Sequence, residues 1–415
     1  MDNLTHTLIG VMVGETLHRS LPASTVLSDR ARRTVAITVM AVGGNLPDAD
    51  IIYTTWAGTT VDYVLHHRGH THTHTFAGAL GLSLALFLIV RLVWWRRKIT
   101  PGRADTWFLA GLSLLATLLH LGLDFTNSYG IHPLWPLDNR WYYGDAVFIV
   151  EPLLWACSAV LLFVLPGRSW RIVISLVLAA GLGLSWLSGF VPPSLAALLT
   201  LLTVGLAAVS RYASVRAALV AGIAAWVAVT ATFVTTARTA ENRIEALLAA
   251  RFPDTRTLDV VLTPMPANPV CREALAVQQT TDHYVVRQAF HSLAPGWITA
   301  DRCRESYWSG TGTTATLHPV GQANSDELLW TGEFGMDTGL LATLDTQYCA
   351  VGALLQFARA PWAVPKGDGW VVGDLRFDRE PGLGLAEVEV GPSADGCPHL
   401  PAPWIPPREE LLNGD

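Results

Sequence analysis

Charged residues are scarce in this chain of 415 residues, and their scarcity argues against an ordinary soluble protein. Only 15% of the residues are Asp, Glu, Lys or Arg, whereas 51% are apolar. Basic residues are not in excess, because 28 Lys and Arg stand against 34 Asp and Glu. The net charge of −6 gives no basic surface for nucleic acid, so no nucleic-acid partner is expected.

The sequence also lacks a recognisable signal peptide and closely spaced cysteine pairs. The N-terminus MDNLTH has neither a basic n-region nor a small-residue cleavage site, so no cleavable signal peptide is predicted and insertion would begin from a retained helix. Cysteine is rare as well: there are five, and none forms a close CxxC pair. A zinc site built from cysteines is therefore the less favoured use of these residues.

Long apolar runs between short polar stretches predict an α-helical polytopic membrane domain of about eight helices. The first two runs are short for a full span. The predicted segments are residues 3–17, 34–44, 76–95, 106–123, 147–165, 170–190, 194–209 and 215–236. We expect a metal-site membrane domain at residues 1–165, additional transmembrane helices at 166–237 and a β-rich domain at 238–415.

Basic residues are concentrated in every second loop, and this pattern predicts the orientation of the spans because Lys and Arg are enriched in short cytoplasmic loops. The basic loops follow residues 17, 95, 165 and 209. We therefore expect a multi-pass protein of the cytoplasmic membrane. Both termini, the histidine tract and the C-terminal domain are predicted to face outward.

The C-terminal region is predicted to be a mostly β extracytoplasmic domain, because alternating apolar stretches occur at residues 258–264, 283–290, 369–377 and 385–390. Residues 239–250 are expected to form a helical linker before it. An even number of cysteines in an outward domain predicts two disulfides, with three possible pairings and zinc binding as the alternative. These cysteines are Cys271, Cys303, Cys349 and Cys397, whereas Cys157 lies in a membrane segment.

Residues 66–75 read HHRGHTHTHT and hold five of the thirteen histidines. Neutral imidazole is the commonest metal ligand in proteins, and a histidine-rich tract indicates metal binding. The alternative is a solvated polar loop. The tract directly precedes the apolar segment at 76–95, so it is predicted to lie at a membrane boundary.

Further candidate ligands fall at the outward ends of the first four apolar segments. Each alone has an ordinary explanation, such as an interfacial histidine, a turn residue or an ion pair. Together on one side of a membrane they predict a metal site, because ionisable groups at membrane depth are costly. His120 and Asp124 share one helix face. The predicted metal ligands are His6, Asp48, Asp50, His67, His72, His120 and Asp124.

Mixed imidazole and carboxylate ligands favour zinc, with manganese or iron as alternatives. Seven candidates exceed the needs of one tetrahedral ion, so one or two divalent ions are expected. His66, His70 and His74 are expected to be spare histidines of the tract.

Three residues are predicted to be catalytic. Arg68 would bind a phosphate or carboxylate of the substrate, or else anchor the tract at lipid headgroups. Asp145 and Glu151 lie in the polar loop after Asp124 and would support the ligands or act as a base. Their alternative role is to complement the dipole of the following helix as carboxylates at its start.

Five motifs in order resemble the YdjM-like family of inner-membrane proteins, to which metal-dependent hydrolase activity is ascribed. They are THTL, NLPDAD, HRGHTHT, HLGLDFTNSYG and WPLDNRWYYGDAVFIVEP, within residues 1–165, and PMPANP (264–269) and GDLRF (373–377) are similar to the distal domain of longer members. The resemblance implies that His6, Asp48, Asp50, His67, Arg68, His72, His120, Asp124 and Asp145 are functional positions. The chain departs from the family at Glu151, where many relatives have Asp, and in the extra His70 and His74.

The sequence therefore predicts a membrane-embedded metal-dependent hydrolase that acts on an ester or phosphodiester. The lipid bilayer is the expected partner, and the expected substrate is a lipid, such as a phospholipid, or a small molecule at headgroup level. The alternatives are a metal-binding transporter and a structural or regulatory membrane protein with a stabilising metal site. Transporters tend to hold ligands near the bilayer midplane, whereas these ligands lie at one end of the segments.

Overall fold

The computed structural model has a helical N-terminal region followed by a β-sheet domain. It describes residues 1–24, 26–54, 73–138, 140–281, 283–305, 317–377, 382 and 386–392. The helices of the N-terminal region are α1 (Asn3–Ser20), α2 (Asp29–Gly43), α3 (Ile51–Thr54), α4 (Phe76–Arg96), α5 (Arg103–Phe125), α6 (Pro152–Cys157), α7 (Leu161–Val164), α8 (Arg168–Leu187), α9 (Pro193–Tyr212) and α10 (Val215–Arg251). A short 3₁₀ helix, Pro47–Asp50, precedes α3.

Five of the described helices, α4, α5, α8, α9 and α10, are long and apolar enough to cross a membrane. The helical class of this region is therefore confirmed, whereas the count of about eight spans stays a prediction. The predicted segment at 147–165 becomes a helix only from Pro152 and forms the shorter apolar stretch Pro152–Val164. The described residues of 126–151 form a polar loop before it, which we call the outer loop because the sequence predicts that it faces outward.

Helices α1 and α2 pack closely because glycine lies at their contact. A Cβ on Gly10 would lie 2.6 Å from the carbonyl oxygen of Met40, and one on Gly14 would lie 2.7 Å from that of Ala36. No other residue would allow this approach without a backbone shift. The contact brings His6 of α1 beside Gly44, which ends α2.

Helix α10, a candidate membrane span, continues into the β-sheet domain. Its 37 residues span roughly 55 Å at 1.5 Å per residue, well beyond a hydrocarbon core of about 30 Å. Ala237, Ala240, Ile244 and Leu248 on its outer part are buried in one core with residues of the first sheet. The predicted helical linker at 239–250 is thus helical, and it is continuous with the predicted span at 215–236 in α10.

Two antiparallel sheets form the C-terminal domain, so the prediction of a β-sheet domain is confirmed. Neighbouring strands of each sheet are joined in sequence order, as in a meander. The first sheet contains β1 (Arg256–Met265), β2 (Asn268–Gln279), β3 (His283–Ser292) and β4 (Leu328–Asp337), and the second contains β5 (Pro361–Lys366), β6 (Gly369–Asp374) and β7 (Glu387–Val390). The domain also contains α11 (Ala300–Glu305), α12 (Thr338–Gln347) and α13 (Cys349–Leu355).

Residues alternate between two cores along the first sheet, as the side-chain period of a strand requires. Leu262 and Ala274 pack in the core that contains α10, whereas Val261 and Leu275 pack in the core that contains the second sheet. The first sheet therefore lies between the end of the helical bundle and the second sheet.

A disulfide joins Cys271 of β2 to Cys303 of α11, with 5.5 Å between their Cα atoms. Cys349 is also disulfide-bonded, and its partner lies outside the described residues, as does Cys397. Cys157 is a free buried thiol. Disulfides, rather than a cysteine zinc site, therefore account for the three described cysteines of this domain.

Candidate metal centre

Three separate segments bring four ligand side chains together. Asp48 lies in the 3₁₀ helix after α2, where Pro47 occupies the first turn. His74 lies just before α4, whose N-cap Thr75 accepts a hydrogen bond from the amide of Gly78. His120 and Asp124 lie one turn apart on α5. All four are buried, and their ligand atoms lie within 4.8 Å of one another; we call them the metal cluster.

The nitrogens and oxygens of the metal cluster converge on one point. Nε2 of His120 lies 3.2 Å from Nε2 of His74 and 3.6 Å from an oxygen of Asp48. Oδ2 of Asp124 lies 3.5 Å from Nε2 of His74 and 3.6 Å from Nε2 of His120. Two imidazoles and two carboxylates thus face the same small volume.

The orientation of His120 makes this arrangement favourable for a cation. Its Nδ1 lies 2.8 Å from the carbonyl oxygen of Gly44, which can only accept a hydrogen bond, so Nδ1 carries the proton. In the neutral ring, Nε2 then presents a lone pair to the other ligand atoms. Electron-rich atoms at these distances repel one another unless a cation or further protons lie between them.

Asp48 keeps its negative charge in this setting. Burial raises the pKa of its carboxyl, but the hydrogen bond with His74 and the positive charge that His120 and His74 carry when protonated lower that pKa further, so it lies below the ordinary value. An ionised buried carboxylate needs a compensating positive charge, because desolvating an ion costs several kcal/mol. Protonated histidines would supply it without a metal, and a divalent ion among these residues would supply it when both rings are neutral.

Asp50 lies on the Nδ1 side of the His74 ring, opposite the Nε2 atom that faces the metal cluster. Nδ1 of His74 lies 3.8 Å from Oδ2 of Asp50. The hydroxyl of Thr73 donates to the same oxygen at 2.8 Å and lies 3.0 Å from Nδ1. A carboxylate behind a histidine holds the ring orientation and increases its basicity as a ligand. Asp50 is thus placed to orient a ligand.

His6 lies against the opposite side of the metal cluster. Its ring stacks on His120 with 4.1 Å between centroids, and its Nε2 lies 3.3 Å from Oδ1 of Asp124. The ammonium group of Met1 donates to that same Oδ1. The two oxygens of Asp124 therefore face different partners, with Oδ2 toward the metal cluster and Oδ1 toward His6 and a cationic group.

Asp145 contacts the C-terminal domain. Both of its oxygens accept from Nη1 of Arg359, at 3.0 and 2.8 Å, and Oδ2 also accepts from the amide of Leu262 at 3.4 Å. Arg359 pairs in addition with Asp259 of β1 and lies over the ring of Tyr143. Asp145 therefore joins the outer loop to the β-sheet domain.

Glu151 is fully buried at the start of α6. Its side chain caps the helix by accepting from the amide of Leu153 at 2.9 Å. Both of its oxygens also accept from the amide of Ala267, in the turn between β1 and β2, at 3.1 Å. The helix-start role that was the alternative for Glu151 is present, together with a contact to the C-terminal domain.

The structure places His74, which the sequence analysis counted among the spare histidines of the tract, inside the metal cluster. The sequence feature that indicates this role is the position of His74 directly before Thr75, the N-cap of α4, because a residue there is fixed at the end of a candidate span. The predicted residues His67, Arg68 and His72 lie outside the described residues. Among the described candidates, Asp48, His120 and Asp124 meet in the metal cluster, with His6 and Asp50 adjoining it.

The fold and the metal cluster define a membrane protein with several candidate spans and a buried histidine–carboxylate site. Residues 1–191 match the model of a family described as YdjM inner membrane protein. This match confirms the resemblance and includes every described residue of the metal cluster. No curated protein and no solved structure matches the chain.

Proposed function

We propose that this protein is a membrane-embedded metal-dependent hydrolase acting on an ester or phosphodiester, with a phospholipid as the favoured substrate class. The site would lie at the outer face of the cytoplasmic membrane. The observation that carries the proposal is the metal cluster of Asp48, His74, His120 and Asp124. Its burial and convergent lone pairs favour a divalent cation over a set of ordinary ion pairs.

The donor set suits zinc, and manganese or iron are alternatives. Four donors are sufficient for one ion, and His6 with Oδ1 of Asp124 offers part of a second position once the ammonium group of Met1 is displaced from that oxygen. A divalent ion would supply Lewis acidity toward a carbonyl or phosphoryl oxygen and would activate water at neutral pH. We therefore propose one or two ions, with Asp124 shared between them if there are two.

The residues of the chain supply orientation and charge. The carbonyl of Gly44 holds His120, and Asp50 holds His74 through the hydroxyl of Thr73. Arg68 is proposed to stabilise negative charge that develops on the substrate. For Asp145 and Glu151 we now favour a supporting role, because their described hydrogen bonds hold the C-terminal domain against the outer loop and α6.

A lipid substrate is favoured by where the metal cluster lies. His74 is two residues before the first residue of α4, and Asp124 is one residue before the end of α5. A site at the ends of two spans is at headgroup level when these helices cross the bilayer. A lipid could then present its headgroup while its acyl chains remain in the membrane.

Purified full-length protein in lipid nanodiscs provides the test. Elemental analysis should find a transition metal, and a chromogenic phosphodiester and a phospholipid should be hydrolysed in a chelator-sensitive manner. Bound metal without turnover, with unfolding on chelation, would favour the structural alternative. Metal flux into proteoliposomes without turnover would favour the transporter.

A further inference from the structure

We propose that the tip of the outer loop, residues 133–137 with the sequence PLWPL, inserts into the lipid leaflet on the side of the metal cluster. Both leucines of the tip are exposed, and Leu137 is almost fully so. Leu137 is 94% exposed and Leu134 is 39% exposed. Apolar side chains grouped at a loop tip mark an interaction surface rather than an ordinary solvated loop.

The tip lies at the depth of the membrane boundary. The amide of Phe76 donates to the carbonyl oxygen of Pro133 at 2.9 Å, and Phe76 is the first residue of α4. With 21 residues, α4 is about 31 Å long at 1.5 Å per residue, close to the hydrocarbon thickness of about 30 Å. When α4 crosses the bilayer, Phe76 and the bonded tip lie at the edge of the hydrocarbon core.

The tip also continues a surface that already faces lipid. Phe76, Leu80 and Leu84 on α4 are 47%, 58% and 57% exposed, and α4 is a candidate span with little of its surface covered by the protein. Because the lipid that covers this side of α4 extends to its first residue, the adjoining leucines meet the same lipid. This continuity identifies the occupant of the surface as the bilayer.

A charged pair follows the tip in the chain, as expected for a segment that enters only the interfacial layer of the membrane. Asp138 and Arg140 form an ion pair with 2.7 Å between Nη2 and Oδ2, and the guanidinium side of this pair is exposed. This order would place the apolar tip at the boundary of the acyl chains and the charged pair among the lipid headgroups.

Insertion of the tip would hold the outer loop at the lipid surface. The loop begins at Thr126, two residues after Asp124, and the bond to Phe76 connects the tip to the segment that carries His74. Both ligand-bearing helix ends are thus linked to the inserted tip. This inference concerns lipid contact and does not depend on hydrolysis.

The experiment uses full-length protein in nanodiscs with an environment-sensitive fluorophore on a single introduced cysteine. Leu137→Cys reports on the tip. Leu88→Cys, on the exposed side of α4, is the lipid-facing control, and Asp254→Cys, at the exposed turn after α10, is the aqueous control. The wild-type chain, whose free Cys157 is buried, gives the labelling background.

We expect the label at Leu137 to be quenched by lipids carrying a nitroxide near the headgroup, and protected from aqueous iodide relative to the label at Asp254. Iodide quenching at Leu137 as strong as at Asp254 overturns the proposal. Protection from both quenchers also overturns it, because a protein would then cover the tip. Neither readout requires turnover, so this failure is distinct from failure of the hydrolase proposal.

Discussion

At the scale of single residues, the metal centre depends on where each ring and carboxylate points. His120 is held by a backbone carbonyl of a different segment, and His74 lies in front of a carboxylate. Each histidine therefore turns its Nε2 toward the same point. The residues behind the ligands matter because a rotated imidazole no longer presents its lone pair.

The first prediction concerns Asp124, whose Oδ2 faces both histidines of the metal cluster. Asp124→Asn keeps the shape but removes a negative charge that balances a divalent cation. We expect metal occupancy to fall sharply and hydrolysis to be lost, with membrane insertion unchanged because the apolar spans are intact.

Asp105→Asn is the matched control. Asp105 is also buried on α5, but it lies in the first turn and accepts a hydrogen bond from Ser24. Elemental analysis should find normal metal in this variant. Equal metal content in the Asp124→Asn and wild-type proteins would remove Asp124 from the ligand set.

The second prediction concerns Asp50, which lies behind His74. Asp50→Asn leaves the four atoms of the metal cluster in place but weakens the orientation of His74. We expect metal affinity to fall by about 10–100-fold, less than the loss caused by His74→Gln, as measured by competition with a chromogenic chelator. An affinity loss for Asp50→Asn larger than that for His74→Gln would instead indicate that Asp50 is itself a ligand.

At the scale of elements, the outer loop connects the metal cluster to the C-terminal domain. The amides of Ala146 and Val147 both donate to the carbonyl oxygen of Thr126, next to the end of α5. Gly144 is required there, because a Cβ would collide with the carbonyl oxygen of Phe125. Arg359 binds the loop at Asp145, and Arg376 binds it at the carbonyl oxygen of Ser128.

The third prediction follows from this chain of contacts. Arg359→Gln removes the cation shared by the buried carboxylate of Asp145 and the partly buried carboxylate of Asp259, and breaking a buried ion pair costs about 3–5 kcal/mol. We expect the outer loop to loosen at the end of α5 and metal affinity to fall, although Arg359 is not a metal ligand. The measurement is metal retention during a chelator challenge.

Arg287→Gln is the control for this effect. Arg287 is also a largely buried arginine of the same domain that pairs with a carboxylate, Glu333, and lies over an aromatic ring, Phe252. Its described contacts do not include the outer loop. Equal metal loss in both variants would mean that general destabilisation of the domain, rather than the loop contact, weakens the site.

At the scale of the whole molecule, helix α10 and the turn between β1 and β2 give the C-terminal domain a defined position over the helical bundle. The outer part of α10 is buried against the first sheet, and the turn between β1 and β2 rests on Glu151. The sheet domain is therefore packed on the end of the bundle that carries the metal cluster.

The fourth prediction concerns the oxidised cysteines. Mass spectrometry after thiol blocking in denaturant should find Cys157 modified and Cys271, Cys303 and Cys349 protected. Cys303→Ser should destabilise the C-terminal domain by about 2–4 kcal/mol, because the unfolded chain is no longer constrained; limited proteolysis would detect the change. If the blocking reagent modifies Cys271 and Cys303 in protein that has not been reduced, the disulfide is contradicted.

The fifth prediction concerns orientation, which rests on the basic loops. A reporter that is active only outside the cytoplasm should function when fused after Asp415 and fail when fused after Lys98. The opposite pattern would place the metal cluster and the C-terminal domain on the cytoplasmic side.

Local patterns in the sequence were sufficient for the class of protein and for part of the site. Apolar runs indicate membrane helices because a span must be apolar along its length, and alternation indicates strands because side chains alternate across a sheet. The spacing of His120 and Asp124 predicts a shared face, since residues four apart on a helix are neighbours. Each of these inferences depends on residues that are close together in the chain.

Only the tertiary structure decided which distant residues meet. His74 and Asp48 are 26 positions apart, and His120 and Gly44 are 76 apart, so their contacts depend on how α2, α4 and α5 pack. The partners of Asp145 and Glu151 lie more than a hundred positions away, in strands and loops of another domain. Spacing cannot predict such contacts, because they arise from packing between elements whose relative positions no local pattern specifies.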